Sequence, residues 1–388
     1  MNKIVIGLFL VAHLHAQSYE ELLDQAVNNN INLQLIQNQQ EQISLNGEIE
    51  RRYDNPNLEL EIADFSNQFI TKRNDFGARV GISQSIPLPH IQEDRERITQ
   101  NEINIAQKQY EMAKSNFIYS FNLKYLAYKK ALRVLGLQER AVELSKEILK
   151  TVNQRYQEGA VAKSDYLEAT LEYRRTEQKK ETLRFEVTKT KNKLLAFANI
   201  SNQEYIESEH LFLLTQNSLN HPSIAISRAK NKMSEAKLEL LKHSIESIEL
   251  FSELEQEPDQ DIFRVGVSIP LPTFNLKNEE KQLEKINIAN RKLHISNQEN
   301  LLKLKIEQLT AENSQLEKLN KSHKSLTASQ EQLFNMYKQS YTIAKVNLLK
   351  LQQIKEQRIN NQKEILESNF AIEQNIIKIN YLQGAYSE

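Results

Sequence analysis

The sequence predicts a mainly α protein with a small β part, built as a duplicated unit of helix, two strands and a long helical hairpin. Three observations carry that reading. Ser85-Ile86-Pro87-Leu88-Pro89 returns letter for letter as Ser268-Ile269-Pro270-Leu271-Pro272. Each copy follows an alternating apolar/polar run and precedes a polar segment of helical period. Ile103-Asn104-Ile105-Ala106 stands in the same relation to Ile286-Asn287-Ile288-Ala289, so the match extends past the pentapeptide and marks an internal duplication. Glycine and proline are scarce, 8 and 7 among 388 residues, 26% of residues are charged, and tryptophan is absent. That composition suits long solvated helices better than ordinary globules.

Residues 1–16 have the form of a secretory signal. Lys3 supplies the positive start, Ile4 to Ala12 the apolar run, and His13-Leu14-His15-Ala16 a cleavage site before Gln17. Ser18 to Tyr53 is helical in period, with Leu22, Leu23, Ala26, Leu33, Ile36 and Ile43 on one side. Ser18 and Glu21 have the spacing of a capping box, and Asn55-Pro56-Asn57 ends the segment. A strand pair follows over 58–84. Leu58-Glu59-Leu60-Glu61-Ile62 alternates, Ser66 to Asp75 is a polar loop, and Phe76, Ala78, Val80 and Ile82 alternate with Gly77, Arg79, Gly81 and Ser83. Pro87 and Pro89 end that strand and turn the chain. From Glu93 to Tyr156 apolar residues step by three and four, as a coiled-coil seam does, past one glycine, Gly136. Gly159 closes this helix, Ser164 is placed to cap the next, and Asp165 suits its positive end. The returning helix runs to Ala198, and the hairpin tip falls near 156–164. Residues 17–199 thus form a first repeat.

Residues 200–388 repeat the plan. Asn220-His221-Pro222 opens a helix, and a strand pair spans 247–269 around a loop holding Pro258. Pro270 and Pro272 occupy the second strand-to-helix junction. From Thr273 to Gln383 there is neither proline nor glycine, and Leu302, Leu309 and Leu316, then Leu319, Leu326 and Leu333, keep a seven-residue spacing. The second tip falls near 341–347, with Asn347 as cap.

Composition also excludes. A net charge of −1 gives no electrostatic case for nucleic acid. Without cysteine there is no disulfide, thiol catalysis or lipidated cysteine, and none of the eight histidines forms a metal-spaced pair. No later window approaches the roughly 20 apolar residues of a membrane helix, so an exported chain that spans a membrane must do so with strands. Open sheet edges are not tolerated in lipid, and eight strands is about the practical minimum for a closed barrel. Four strands per chain therefore require several chains to share one, two giving eight strands or three giving twelve. Phe65, Phe69, Phe76, Phe251, Phe263 and Phe274 stand at or near strand ends, where an aromatic girdle belongs. Glu59, Glu61 and Arg79 would face a wet lumen; the outer face of a soluble sheet fits those charges equally well.

The duplicated plan, the strand-then-IPLP junction, and the run from Arg155-Tyr156 through Gly159, Asp165 and Leu167 to Ala169 together resemble the TolC family of outer-membrane efflux proteins, whose hairpin tip has the pattern R-Y-x-x-G-x-x-x-x-x-D-x-L-x-A. The second tip departs from it, with Ala344 where the family usually has glycine. The resemblance covers the mature chain and is similar in its compactness to the heavy-metal efflux branch. It implies a homotrimer: a trimeric α-helical coiled-coil barrel in the periplasm, continued by a shared 12-stranded transmembrane β-barrel in outer-membrane lipid. Its implied partners are a periplasmic adaptor and an inner-membrane pump of the RND or ABC type, with Arg155, Tyr156, Gly159, Ser164, Asp165, Tyr341 and Ala344 at the adaptor contact and tip opening. The duct is passive, without cofactor or enzymatic chemistry. A secreted or periplasmic coiled-coil scaffold without a pore is the alternative; it accounts for the helices and the signal but not for two strand pairs at matched positions.

Overall fold

The computed structural model describes residues 18–64, 76–201, 206, 209–215, 219–257, 260–343 and 345–387. The expected signal segment, the loop 66–75, Phe65, Phe69, Pro258 and Ala344 lie outside the described residues. Two compact units share the chain. One takes Gln34–Met112 and Pro222–Asn300; the other takes Met1–Leu33, Ala113–His221 and Leu301–Glu388. Each draws on both halves of the sequence.

The first unit holds the sheet. Strands β1 (Asn57–Asp64), β2 (Phe76–Pro87), β3 (Ser247–Gln256) and β4 (Asp261–Ser268) lie in the order β1-β2-β3-β4, all antiparallel. The two strand pairs meet through β2 and β3, with Val80 opposite Leu254 and Ile86 opposite Ile248. The β3–β4 hairpin is closed by the Glu257 amide donating to the Gln260 carbonyl at 2.9 Å.

The helices occupy the remainder: α1 (Tyr19–Asn28), α2 (Ile31–Glu50), α3 (Pro89–Gln157), α4 (Lys163–Ala198), α5 (Pro222–Lys242), α6 (Asn278–Thr342) and α7 (Leu348–Gln383). The first helical segment is thus two helices where periodicity predicts one. The Ser18–Glu21 capping box does start α1. The break at Asn29-Asn30 has a local cause: the Asn30 side chain accepts from the Leu33 amide at 3.1 Å and caps α2, a competition with the helix that asparagine is suited to. Asn29 also exchanges side-chain-to-backbone bonds with Asn199, both at 3.4 Å, which fixes the end of α1 beside the end of α4. By contrast α3 runs unbroken through Gly136.

The second unit has an aromatic core at its start. Tyr19, Phe121, Tyr125 and Phe212 are buried. The Tyr19 ring stacks on His210 at 3.7 Å, and its hydroxyl donates to Asn122 at 2.6 Å. Burial raises the Tyr19 phenol well above its ordinary range.

Three helix ends in this unit, those of α3, α4 and α7, close by one device. At Gly159, Asn199 and Gly384 the backbone turns left-handed (φ 70°, 53° and 85°). In each case the next amide reaches five residues back, as Ala160 does to Arg155 at 2.8 Å, the Schellman pattern. The two glycines differ in cost of replacement. A Cβ at Gly159 would meet nothing within 4 Å, whereas one at Gly384 would lie 2.4 Å from the Asn220 carbonyl oxygen. Gly159→Ala should cost about 1–2 kcal/mol from the left-handed conformation alone. Gly384→Ala should cost clearly more, because backbone must move. Thermal melting of the two variants in detergent checks the order.

Candidate functional site: a two-faced sheet and the paired hairpin tips

The register sorts the strand residues cleanly onto two faces. One carries Leu58, Leu60 and Ile62 of β1, Ala78, Val80 and Ile82 of β2, Leu250 and Leu254 of β3, and Phe263, Val265 and Val267 of β4. Inside the strand ends this face bears no charge. Its side chains are open to the surroundings, Ile62 at 80% and Val265 at 69%. The opposite face carries Glu59, Glu61, Arg79, Glu249, Glu253, Glu255 and Arg264. Arg79 lies 2.7 Å from Glu61, 3.7 Å from Glu59 and 3.5 Å from Glu253. Arg264 pairs with Glu253 at 2.8 Å and with Glu255. Of the phenylalanines expected as a girdle, three have described side chains, and they take different places. Phe251 is on the charged face, directly across from Gly266 and filling the space a Cβ there would need. Phe263 is on the apolar face, and Phe274 is fully exposed just past β4.

The two IPLP copies fold differently. In the first, Pro87 is the last residue of β2, still opposite Ser247, and Pro89 is the first residue of α3, where its missing amide hydrogen costs nothing. In the second, β4 ends at Ser268, before Pro270 and Pro272, and α6 starts only at Asn278. The proline- and glycine-free run from Thr273 thus becomes helical only at Asn278. Over Ser85–Pro87 β2 pairs with β3 alone, as far as Pro87 opposite Ser247, whereas β4 follows β3 only as far as Ser268 opposite Glu249. Lys277, at φ 54°, makes the final turn. Glu246 ties the junction: its carbonyl accepts from the Leu88 amide at 3.0 Å, and its carboxylate meets Arg95 at 3.3 Å and Lys277. The hydrogen bond from Lys277 holds the Glu246 carboxyl below its ordinary pKa, with Arg95 adding.

At the tips, the structure brings Arg155, Asp165 and Tyr341 together. Ile148, Val152, Ala169, Phe334, Tyr341, Leu348, Leu351 and Ile354 form one buried cluster that joins both hairpins. The Arg155 guanidinium donates to the Tyr341 carbonyl at 2.5 Å and sits 4.7 Å from the centre of its ring. That carbonyl is at the C-terminal end of α6, where a cation opposes the helix dipole. Burial raises the Tyr341 phenol pKa; Arg155 opposes this and Asp165 adds to it. Tyr156, at the position in the first tip that matches Tyr341, instead stacks on Tyr166 at 5.4 Å and is partly exposed. Ser164 is not the cap. Ala162 occupies that position without a side-chain bond, and Ser164 is an exposed second helical residue. Asp165 does sit in the first turn of α4, and Asn347 does cap α7 through the Lys350 amide at 3.0 Å.

Sequence reasoning passed over the polar groups packed just behind the tips. Lys355 is 1% exposed, with its ammonium 2.7 Å from Glu172 and 3.1 Å from the Ser145 hydroxyl. Between α6 and α7, Asn375 donates to Asn313 at 2.9 Å, Asn320 to Asn369 at 2.5 Å, and Asn361 to the His323 carbonyl and the Thr327 hydroxyl at 2.8 and 2.7 Å. The only signal was spacing: Asn313, Asn320, Thr327, Phe334 and Tyr341 are seven apart. Among the described residues no group of three or more His, Asp or Glu is placed to hold a metal ion, and no helix is long and apolar enough to cross a membrane.

The fold is that of outer-membrane channels. The chain is similar to the CmeC outer membrane channel of Campylobacter jejuni, at 16% identity and TM-score 0.70, over 94% of this chain and 85% of that one. It is similar to the outer membrane protein VceC of Vibrio cholerae at 12% identity and TM-score 0.75, over 94% and 95%. To the MtrE outer membrane channel of Neisseria gonorrhoeae, solved in its open state, the figures are 13%, 0.74, 94% and 88%. No family model and no curated protein matches the sequence.

Proposed function

We propose that the protein is the outer-membrane channel of a tripartite efflux or secretion system, a passive duct from periplasm to exterior. The observation that carries this is the sheet: one face predominantly apolar and open, the other charged, on strands of 8 to 12 residues. In water the apolar face would be an aggregation surface; in lipid it is the outer wall of a barrel with a wet lumen. A soluble scaffold leaves that face unexplained. The likeness to outer-membrane channels supports the same reading. β1 and β4 each have one neighbour, and three chains joined at those edges close twelve strands in outer-membrane lipid, with the helices continuing into the periplasm. The tips, with Arg155, Tyr156, Gly159, Asp165 and Tyr341, are the surface for a periplasmic adaptor, which couples the duct to an inner-membrane pump of the RND or ABC type. The energy for transport comes from the pump, and the duct itself performs no enzymatic step.

The test is the mass of the mature protein extracted in mild detergent from an outer-membrane fraction. A species near three chains is expected. A water-soluble monomer or dimer would overturn the reading.

A further inference from the structure

We infer that the second strand-to-helix junction is completed by another copy of this chain, whose residues 53–57 take the place that residues 243–247 hold at the first. The inference rests on the channel reading above and specifies how its copies meet. The internal duplication carries it. The two junctions match in order, Leu88 with Leu271 and Ile91 with Phe274. Yet Ile91 is fully buried and Phe274 fully exposed, and Leu88 is half-buried where Leu271 is 78% exposed. The first junction has two kinds of neighbour. From its own repeat comes α2: Arg51 pairs with Glu96 at 3.2 Å, and the Thr99 side chain fills the space a Cβ at Gly47 would need. From the other repeat come the end of α5 and the start of β3. There the Leu88 amide donates to the Glu246 carbonyl at 3.0 Å, the His90 ring lies 4.3 Å from that of His243, and Pro87 is opposite Ser247. The second junction has the first kind. Arg228 of α5 meets Glu299 of α6 at 2.6 Å, Ser227 meets Gln298 at 3.0 Å, and Lys277 reaches His243 and Glu246. The second kind would be the end of α2 and the start of β1. In the chain itself β1 is at the far edge of the sheet, beyond β3 and β2.

The duplication also sets the register. β1 opens with Leu58-Glu59-Leu60 as β3 opens with Ile248-Glu249-Leu250, so β4 and the next copy's β1 are the counterparts of β2 and β3. Gln84 opposite Leu250 and Ile82 opposite Ser252 become Val267 opposite Leu60 and Val265 opposite Ile62. Pro270 comes opposite Asn57, and the Leu271 amide meets the Pro56 carbonyl as the Leu88 amide meets that of Glu246. Side-chain chemistry agrees. Apolar residues fall beside apolar ones, Glu59 and Glu61 fall beside Ser268 and Gly266, and no like charges oppose each other. A slip of one residue would turn the apolar row of one strand towards the charged face of the other. Below the strands, Leu45, Ile49 and Tyr53 are exposed at the end of α2. In the next copy they supply an apolar surface for Leu271 and Phe274, which the single chain leaves open.

The test is cysteine cross-linking, in a chain that has no cysteine of its own. Ser268→Cys is combined in turn with Asn57→Cys, Glu59→Cys and Glu61→Cys, all on one face of the sheet. Within one chain residue 268 is three strand spacings from β1, about 14 Å, beyond the reach of a disulfide, so a covalent link joins copies. Oxidation of an outer-membrane fraction should give a covalent trimer with the Glu59 pair. The other two pairs stand for slips of two residues, about 7 Å along the strand, and should give roughly fivefold less or lower. Phe274→Ser should lower the temperature at which the trimer in detergent separates into chains. A trimer that links best through Asn57 or Glu61 overturns the register. A trimer that links through none of the three, or whose separation temperature is unmoved by Phe274→Ser, means that lipid or another protein covers the junction; it overturns the inference and leaves the channel intact. The absence of any trimer removes the channel reading, and this inference with it.

Discussion

Val265→Arg should remove the protein from the outer membrane, while Ile262→Arg, three residues earlier on the same strand, should leave it there. Both positions are on β4. Val265 lies mid-strand on the apolar face, 69% exposed, between neighbours Ser252 and the open edge. Ile262 lies on the charged face, directly opposite Glu255. An arginine facing lipid near the bilayer midplane costs about 2–4 kcal/mol, and a barrel shared by three chains incurs it three times. That total is comparable with the whole stability of an ordinary domain, about 5–15 kcal/mol. An arginine at 262 enters a wet, acidic surface and gains a cross-strand carboxylate. Fractionation of membranes followed by detergent sizing reads the outcome. Equal retention of both variants would mean the apolar face does not meet lipid.

The second large effect concerns the buried ammonium behind the tips. Glu172→Ala should destabilise the protein by about 3–5 kcal/mol, because it strands Lys355 without its counter-charge. Lys355 extends from α7 to Glu172 on α4 and Ser145 on α3. A hydroxyl alone does not offset the desolvation of an ammonium group. Lys355→Met is the informative companion. It keeps an unbranched chain of similar reach and removes the buried charge, while Glu172, at the rim and 18% exposed, keeps access to water. It should be close to neutral. Thermal melting of both in detergent separates the two; equal losses would mean that packing volume, and not the charge, is what the site supplies.

Much of this architecture was legible. Strict alternation in β1 and β4 placed apolar and charged residues on opposite faces before any pairing was known. The left-handed turn at Gly159 and the cap at Asn347 followed from local chemistry. What was hidden has identifiable causes. Identical pentapeptides gave different junctions because β3 pairs with β2 as far as Pro87 but with β4 only as far as Ser268, a property of the sheet and not of the five residues. Asn29-Asn30 looked like the interior of a periodic helix, yet asparagine satisfies backbone groups from outside it. In α6 the seven-residue spacing of Leu319, Leu326 and Leu333 drew attention to a stripe that is exposed in the chain. The buried stripe is the one containing Asn313 and Asn320, which a search for apolar residues passes over.

That buried asparagine stripe gives the second hairpin a mechanical character. Leucine seams slide with little penalty, since one methyl serves about as well as another. Paired amides do not. Asn313 with Asn375, Asn320 with Asn369, and Thr327 with Asn361 form rungs at fixed heights between α6 and α7, and an axial shift of a single residue, about 1.5 Å, takes all of them out of alignment at once. Each buried amide so orphaned costs about 1–3 kcal/mol. The hairpin is therefore notched along its axis: it can swing as one lever, but its two arms cannot creep past each other.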